Sequence, residues 1–316
     1  MDGHRAMIFT GTSNPELASA IADQLGTTLG DARIDRFQSG EVYVHYEESV
    51  RNADVYLVQT MSHPINDILM ELLIMADAAR RASAGSVNAV IPYFGYARQE
   101  KKDAPREPIS AKVVADLLHT VGIDRVITID LHAPAIQGFF HIPVDHLTAL
   151  GQITTYLRQK RIDHPVVVSP DAGRVKTAEK LATSLDAPFA VMLKKRPSHH
   201  VASITHVIGE VKGHTPIIIE DMIDTGGTIV NVVDHLREKG AKKAVVCASH
   251  PIFSGMAHQR LDHHWIEKVV ITDTLPLRHL SLGDRFKVLS VAPMLSEAIR
   301  LIQTGGSLST MFRSGM

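Results

Sequence analysis

Short apolar runs alternate along this chain with segments of helical period. Runs rich in Val and Ile predict strands at Met7–Thr10, Val55–Gln59, Val87–Ile91, Val126–Ile129, Val166–Ser169, Ala190–Leu193, Ile217–Ile219, Ala244–Ala248 and Val269–Thr272. Many are apolar at consecutive positions rather than alternating, the pattern of strands covered on both faces in parallel sheets with helical crossovers. Helices with readable ends lie between them. Asn14 is placed to cap one with Pro15 in its first turn, Leu17, Ile21 and Leu25 on one face, and Gly26 as its stop. Ser110 opens a second that ends near Gly122, and Thr228 a third that ends at Gly240. The order reads as two α/β units, 1–148 and 149–316, with a soft boundary near Leu147 to Gln152 and no low-complexity linker, so the units are expected to pack closely.

Length agrees with that division, since 316 residues make two domains at roughly 100 to 200 residues each. With 45% apolar and 21% charged residues, the chain has enough material for packed cores and is not disordered. Lys plus Arg is 33 against Asp plus Glu at 34, a net charge of −1. No global basic field exists to bind nucleic acid, so any phosphate-binding surface must be local. The single cysteine, Cys247, forms no intrachain disulfide and reads as a core residue of a reducing compartment. The N-terminal MDGHRAMIFTG runs into a strand without a signal-like apolar region, and the apolar stretch Ile68–Ala79 is interrupted by Glu71 and Asp77. A cytoplasmic protein without membrane contact is expected.

The strongest chemical signal is Ile217-Ile218-Ile219-Glu220-Asp221-Met222-Ile223-Asp224-Thr225-Gly226-Gly227-Thr228. An apolar strand ends in two carboxylates, and a polar turn with two glycines then opens a helix. Ligands of open α/β sheets bind at the carboxyl ends of strands. Gly226 and Gly227 let backbone N–H groups turn toward an anion, and the helix N-terminus adds its positive end. With Thr225 and Thr228 as hydroxyl donors, this is a cradle for a phosphomonoester. Carboxylates beside an anion site make sense for a two-part ligand: Glu220 and Asp221 can accept from vicinal ribose hydroxyls while the loop from Asp224 to Thr228 holds the 5-phosphate.

This string resembles the phosphoribosyl-diphosphate binding motif. Other segments narrow the match: Arg36-Phe37-Gln38-Ser39-Gly40-Glu41, Pro92-Tyr93-Phe94-Gly95-Tyr96-Ala97-Arg98-Gln99, Asp130-Leu131-His132-Ala133, Ser169-Pro170-Asp171-Ala172-Gly173 and Lys194-Lys195-Arg196-Pro197. From about Met7 to Phe312 the chain resembles the ribose-phosphate pyrophosphokinase, or phosphoribosyl-diphosphate synthetase, family. The resemblance implies two tandem phosphoribosyltransferase-like α/β domains. It also implies transfer of a diphosphoryl group from ATP to the anomeric hydroxyl of ribose 5-phosphate, giving phosphoribosyl diphosphate and AMP. By the same resemblance Lys194 and Arg196 are catalytic cations on a mobile flap, with Arg196 also toward the sugar phosphate. Taken alone, Lys194-Lys195-Arg196 reads as a solvated basic turn. Phe37, Ser39 and Glu41 would meet adenine from a neighbouring subunit, and Arg98 with Gln99 the nucleotide's phosphates and base. Without the family, Phe37 reads equally as a core aromatic. Oxygen-rich phosphates call for a hard cation, Mg2+. The resemblance makes His132 and Asp130 its ligands, with Asp171 on a second magnesium or the ribose. Spacing alone would leave His132 a hydrogen-bonding residue at a strand end. A homo-oligomer, a hexamer built from dimers, is implied, with phosphate or ADP as effectors.

Several positions depart from the family pattern. Ser39, His141 and Leu193 stand where Asp is usual, Glu220 replaces the first of two Asp, Arg174 replaces the second glycine after Asp171, Ser198-His199-His200 replaces a more basic stretch, and Ala104 falls where many members carry arginine. The favoured expectation is an active diphosphotransferase. The alternatives are a non-catalytic regulatory paralogue and a phosphoribosyltransferase that consumes the diphosphate.

Overall fold

The computed structural model describes residues 5–198, 201–278 and 280–313, without the side chains of 194–205 and 312–313; His199 and His200 lie outside the described residues. The first half holds β1 (Ala6–Thr10), α1 (Pro15–Gln24), β2 (Ala32–Arg36), β3 (Val42–Tyr46), β4 (Asp54–Val58), α2 (Ile65–Arg81), β5 (Ser86–Ile91), α3 (Ser110–Thr120), β6 (Arg125–Ile129) and β7 (Val144–Leu147). Five of these strands make a sheet in the order β1-β4-β5-β6-β7, parallel throughout, while β2 and β3 pair as an antiparallel ribbon.

The second half holds α4 (Leu150–Lys160), β8 (Pro165–Ser169), α5 (Val175–Leu185), β9 (Phe189–Ser198), β10 (Val201–Ile208), β11 (Thr215–Ile223), α6 (Gly227–Glu238), β12 (Ala244–Pro251), α7 (Ala257–Arg260), β13 (Ile266–Thr272), β14 (Phe286–Leu289), α8 (Ala292–Gln303) and α9 (Ser309–Arg313). Its sheet runs β10-β9-β8-β11-β12-β13-β14, parallel except for the β9–β10 hairpin. The change from one sheet to the other falls between Leu147 and Leu150. Every strand expected from an apolar run is present. The ribbon β2–β3, β7, β10 and β14 are additional, because short or half-exposed strands carry little apolar signal.

Helix ends follow their capping residues. Asn14 accepts from Leu17 N at 3.4 Å and also donates to the Asp273 carbonyl at 3.0 Å, so one amide both caps α1 and ties it to the second half. Gly26, Gly122 and Gly240, each in the left-handed region, follow the C-terminal ends of α1, α3 and α6. Two apolar clusters cover the outer faces of the sheets: one packs α2 and α3 on the first, the other packs α6 and α7 on the second. A third cluster is common to both halves and includes Ile8, Tyr56 and Ile127 with Ile217, Cys247 and Val270. In it α8 returns to pack on α1, and the Gln303 amide donates to the Tyr56 hydroxyl at 2.8 Å. The close packing expected from the missing linker is therefore a shared core. Among the described residues no helix is long and apolar enough to cross a membrane.

Cys247 is fully buried on β12, and burial pushes its thiol well above the usual thiol range. A thiol reagent added to native protein is therefore expected to give no fast reaction, with one equivalent appearing only after denaturant. A fast native reaction would mean that this shared core opens readily.

Candidate active site

The second sheet reverses its direction of growth between β8 and β11: the chain leaves β8 toward β9 on one side and returns with β11 on the other. Such a switch point opens a crevice at the carboxyl ends of the two strands. Asp171 follows β8, and Glu220 to Asp224 end β11 and enter the next turn. The first half closes the crevice with the segments after β5 and β6, which carry Arg98 and His132. The result is a cleft of about 900 Å³ lined by residues of both halves, among them Arg98, His132, Asp171, Glu220, Asp221, Asp224, Thr225, Gly226 and Thr228.

At its floor, strand alternation separates the two carboxylates of β11. Ile217 and Ile219 face the core shared with the first half, whereas Ile218 faces the outer cluster, so Asp221 lies on the face turned to the first half and Glu220 on the opposite one. Asp221 Oδ2 is 2.7 Å from His132 Nδ1 and 2.7 Å from a terminal nitrogen of Arg174. Arg174 also reaches the His132 carbonyl at 3.1 Å and lies 3.8 Å from Glu220. Burial works to raise the Asp221 carboxyl, yet the His132 hydrogen bond and the Arg174 charge outweigh it and hold the group below the usual aspartate range.

The loop after β11 has the form an anion site requires. Gly226 sits at φ +75°, where a side chain would be strained, and a Cβ there would lie 3.4 Å from the Ala257 carbonyl. At Gly227 a Cβ would meet only Thr225 Oγ1, at 3.8 Å, so the space above it is open. α6 starts at Gly227 with no side chain capping its first N–H groups, which leaves those donors and the positive end of the helix for a ligand. Opposite, Arg98 donates to Asp224 Oδ2 at 2.8 Å, linking the two halves across the cleft.

Other expected residues stand elsewhere. Phe37, Ser39 and Glu41 are on the turn of the β2–β3 ribbon, outside this cleft. Phe37 is 57% exposed and packs edge-on against Tyr43, and Ser39 donates to Glu41 at 2.6 Å. Gln99 accepts from the Ser110 hydroxyl at the start of α3 and does not line the cleft. Asp130, at φ +39°, turns its carboxylate inward to the Ala149 N–H at 2.9 Å and to the Ser249 hydroxyl. The backbone of Lys194 lies on β9, paired with Ile204, one residue beyond Leu193 at the cleft wall; the side chains of Lys194 and Arg196 lie outside the described part. Arg174, read from the sequence as a charge beside the ribose, lines the cleft, and so does Lys101, which sequence reasoning did not place there. The signal for Lys101 was a basic pair just after Arg98.

Among the described residues no three His, Cys, Asp or Glu side chains converge as a ready-made metal site. The cleft instead offers hard oxygen donors, Asp171, Glu220 and Asp224, beside one imidazole. That set fits magnesium, which keeps waters and takes one or two carboxylates together with substrate phosphates.

Residues 6–122 match the model of the N-terminal domain of ribose phosphate pyrophosphokinase, and residues 163–313 that of the phosphoribosyl synthetase-associated domain. Curated proteins named ribose-phosphate pyrophosphokinase from Oceanobacillus iheyensis and Bacillus subtilis are 49% and 48% identical, each over 96% of this chain and 96% of their own length. The chain belongs to the ribose-phosphate pyrophosphokinase family. A solved structure of the phosphoribosylpyrophosphate synthetase from Mycobacterium smegmatis superposes with a TM-score of 0.91 at 44% identity, covering 96% of this chain and all of that one. The ribose-phosphate pyrophosphokinase fold is therefore present over nearly the whole chain, and the expected pair of phosphoribosyltransferase-like α/β units is the architecture found.

Proposed function

We propose that this enzyme makes phosphoribosyl diphosphate and AMP from ribose 5-phosphate and ATP. The observation that carries the reading is a cleft with anion sites on both walls: the Asp224–Thr228 cradle on the second half, and Arg98 with Lys101 on the first. One wall suits the sugar 5-phosphate and the other the nucleotide's phosphates. An enzyme that only consumes the diphosphate would need the first wall alone.

In the reaction the anomeric oxygen attacks the β-phosphorus of ATP in line with the oxygen bridging to the α-phosphate. That P–O bond breaks, AMP leaves with the electron pair, and the hydroxyl proton passes to solvent. Positioning and charge stabilisation dominate such a transfer. Thr225, Gly226, Gly227, Thr228 and Asp224 hold the sugar phosphate, with Glu220 toward the ribose. Arg98 gives up Asp224 to meet phosphate oxygens, and Lys194 with Arg196 approach from the β9–β10 hairpin. His132 and Asp171 would hold magnesium, which would supply charge neutralisation at the diphosphate. The exposed ribbon with Phe37, Ser39 and Glu41 suits adenine bound at a subunit boundary, which supports a homo-oligomer of hexamer type with units 1–148 and 149–316. Phosphate or ADP as effectors, and a cytoplasmic location, belong to the same reading.

Incubating the protein with ATP, ribose 5-phosphate and magnesium should yield AMP and phosphoribosyl diphosphate in equal amounts. ADP as the product would sink the proposal. On the adenine side, the Ser39→Asp variant should discriminate ATP from GTP more sharply, by about 5- to 30-fold in kcat/KM, because a carboxylate acceptor attracts the adenine amino group and repels a guanine carbonyl. An unchanged ratio would leave Ser39 merely a partner of Glu41.

A further inference from the structure

We propose that Asp221 and Arg174 are positioning residues that fix the ring of His132, with Asp221 holding the Nδ1–H and Nε2 keeping its lone pair for the reaction cleft. The second half of the chain would thereby set the working form of a residue carried by the first. The proposal rests on the functional reading above for what Nε2 does, but not for the tautomer itself.

The tautomer follows from counting hydrogens. His132 Nδ1 has two close neighbours, Asp221 Oδ2 at 2.7 Å and an Arg174 terminal nitrogen at 3.0 Å. That arginine nitrogen carries two hydrogens and has two oxygen acceptors in range, Asp221 Oδ2 at 2.7 Å and the His132 carbonyl at 3.1 Å. Both hydrogens are thus accounted for without the imidazole. A lone pair on Nδ1 would face an ionised carboxylate, acceptor against acceptor. A proton on Nδ1 instead makes a short charge-assisted bond to that oxygen. One carboxylate oxygen therefore gathers the His132 N–H and the Arg174 cation, and the guanidinium pins the His132 backbone as well.

Burial separates this role from sugar binding. The Asp221 side chain is 5% exposed, and its Oδ2 is already taken up by His132 and Arg174. It lies on the strand face directed at the first half. Glu220, its neighbour on β11, lines the same cleft and stands 3.8 Å from Arg174 rather than in hydrogen-bond contact with it. Arg174, only 15% exposed at the side chain, sets its guanidinium 2.7 Å from this buried carboxylate as its charge partner. A carboxylate behind a ring nitrogen orients the ring and makes its other nitrogen a better donor to a ligand. Here the carboxylate comes from β11, the cation from the turn after β8 and the ring from the end of β6, so the arrangement exists only when both halves are in place.

The test uses the full-length, metal-free protein with 15N-labelled histidine and no substrate, at about pH 8. A long-range proton–nitrogen correlation spectrum, with His132→Gln to assign the signal, should show His132 protonated at Nδ1. The Nε2–H form in the native protein would overturn the proposal, and this measurement requires no change at Asp221 or Arg174. In D221N, which keeps the shape but weakens the acceptor, the Nε2–H form should gain population. With substrates, D221N and R174K should lower kcat by about 10- to 100-fold, as other supporting partners of ligating histidines do, while KM for ribose 5-phosphate stays near the wild-type value. A KM that rises by such a factor with kcat unchanged would assign Asp221 to the sugar and overturn the positioning role. A wild-type protein that makes no AMP would instead refute the functional reading, with the tautomer still deciding the clamp.

Discussion

Lys194→Ala is expected to lower kcat by roughly 100-fold or more, by comparison with the loss of one preorganised donor, with little change in KM for ribose 5-phosphate. Negative charge grows on the oxygen leaving toward AMP only as the P–O bond breaks. A cation aimed at that oxygen therefore lowers the transition state more than the ground state, and its removal appears in kcat. The position of Lys194 supports this role: it follows Leu193 at the cleft wall and sits on the hairpin at the sheet edge, where β10 has a partner on one side only. An edge hairpin is held by fewer contacts than a central strand, so it can move over a bound substrate and exclude water. Arg196→Ala should behave similarly. Steady-state rates with both substrates varied make the check, and a wild-type kcat in the Lys194→Ala protein would remove this residue from the mechanism.

Gly227→Val should abolish measurable ribose 5-phosphate binding while leaving the fold almost untouched. The two adjacent glycines differ in what they require. Gly226 needs its hydrogen side chain for the backbone, because its φ is +75° and the Ala257 carbonyl is close. Gly227 is at the first position of α6 with no protein atom near its missing Cβ apart from Thr225 Oγ1. Valine ranks above glycine in helix propensity, so the helix itself loses nothing by the change, but its methyl groups fill the space where N–H donors would meet phosphate. Calorimetric titration with ribose 5-phosphate, beside circular dichroism and a thermal melt, separates the two effects. Undiminished affinity in a folded variant would mean that the cradle lies elsewhere.

The parallel α/β architecture was legible in the sequence because strands buried on both faces must be continuously apolar, and each run read in that way is a strand. Helix limits were legible at Asn14, Gly26, Gly122 and Gly240, where one residue's chemistry decides the end. The ribbon β2–β3 was not, since its half-exposed alternation also suits a loop, and neither were the short edge strands β7 and β14. The loop from Asp224 to Thr228 could be read as a phosphate cradle because strand end, glycines and helix start are adjacent in the chain. Tertiary structure alone decided which distant residues join it. Arg98 meets Asp224 across 126 positions and His132 meets Asp221 across 89, while Asp130, two residues before His132, turns to Ala149 and Ser249 instead. Local sequence encodes backbone conformation and the face on which each strand residue lies. Which faces meet depends on strand order and on the core shared by the two halves, a property of the whole chain that no single segment carries.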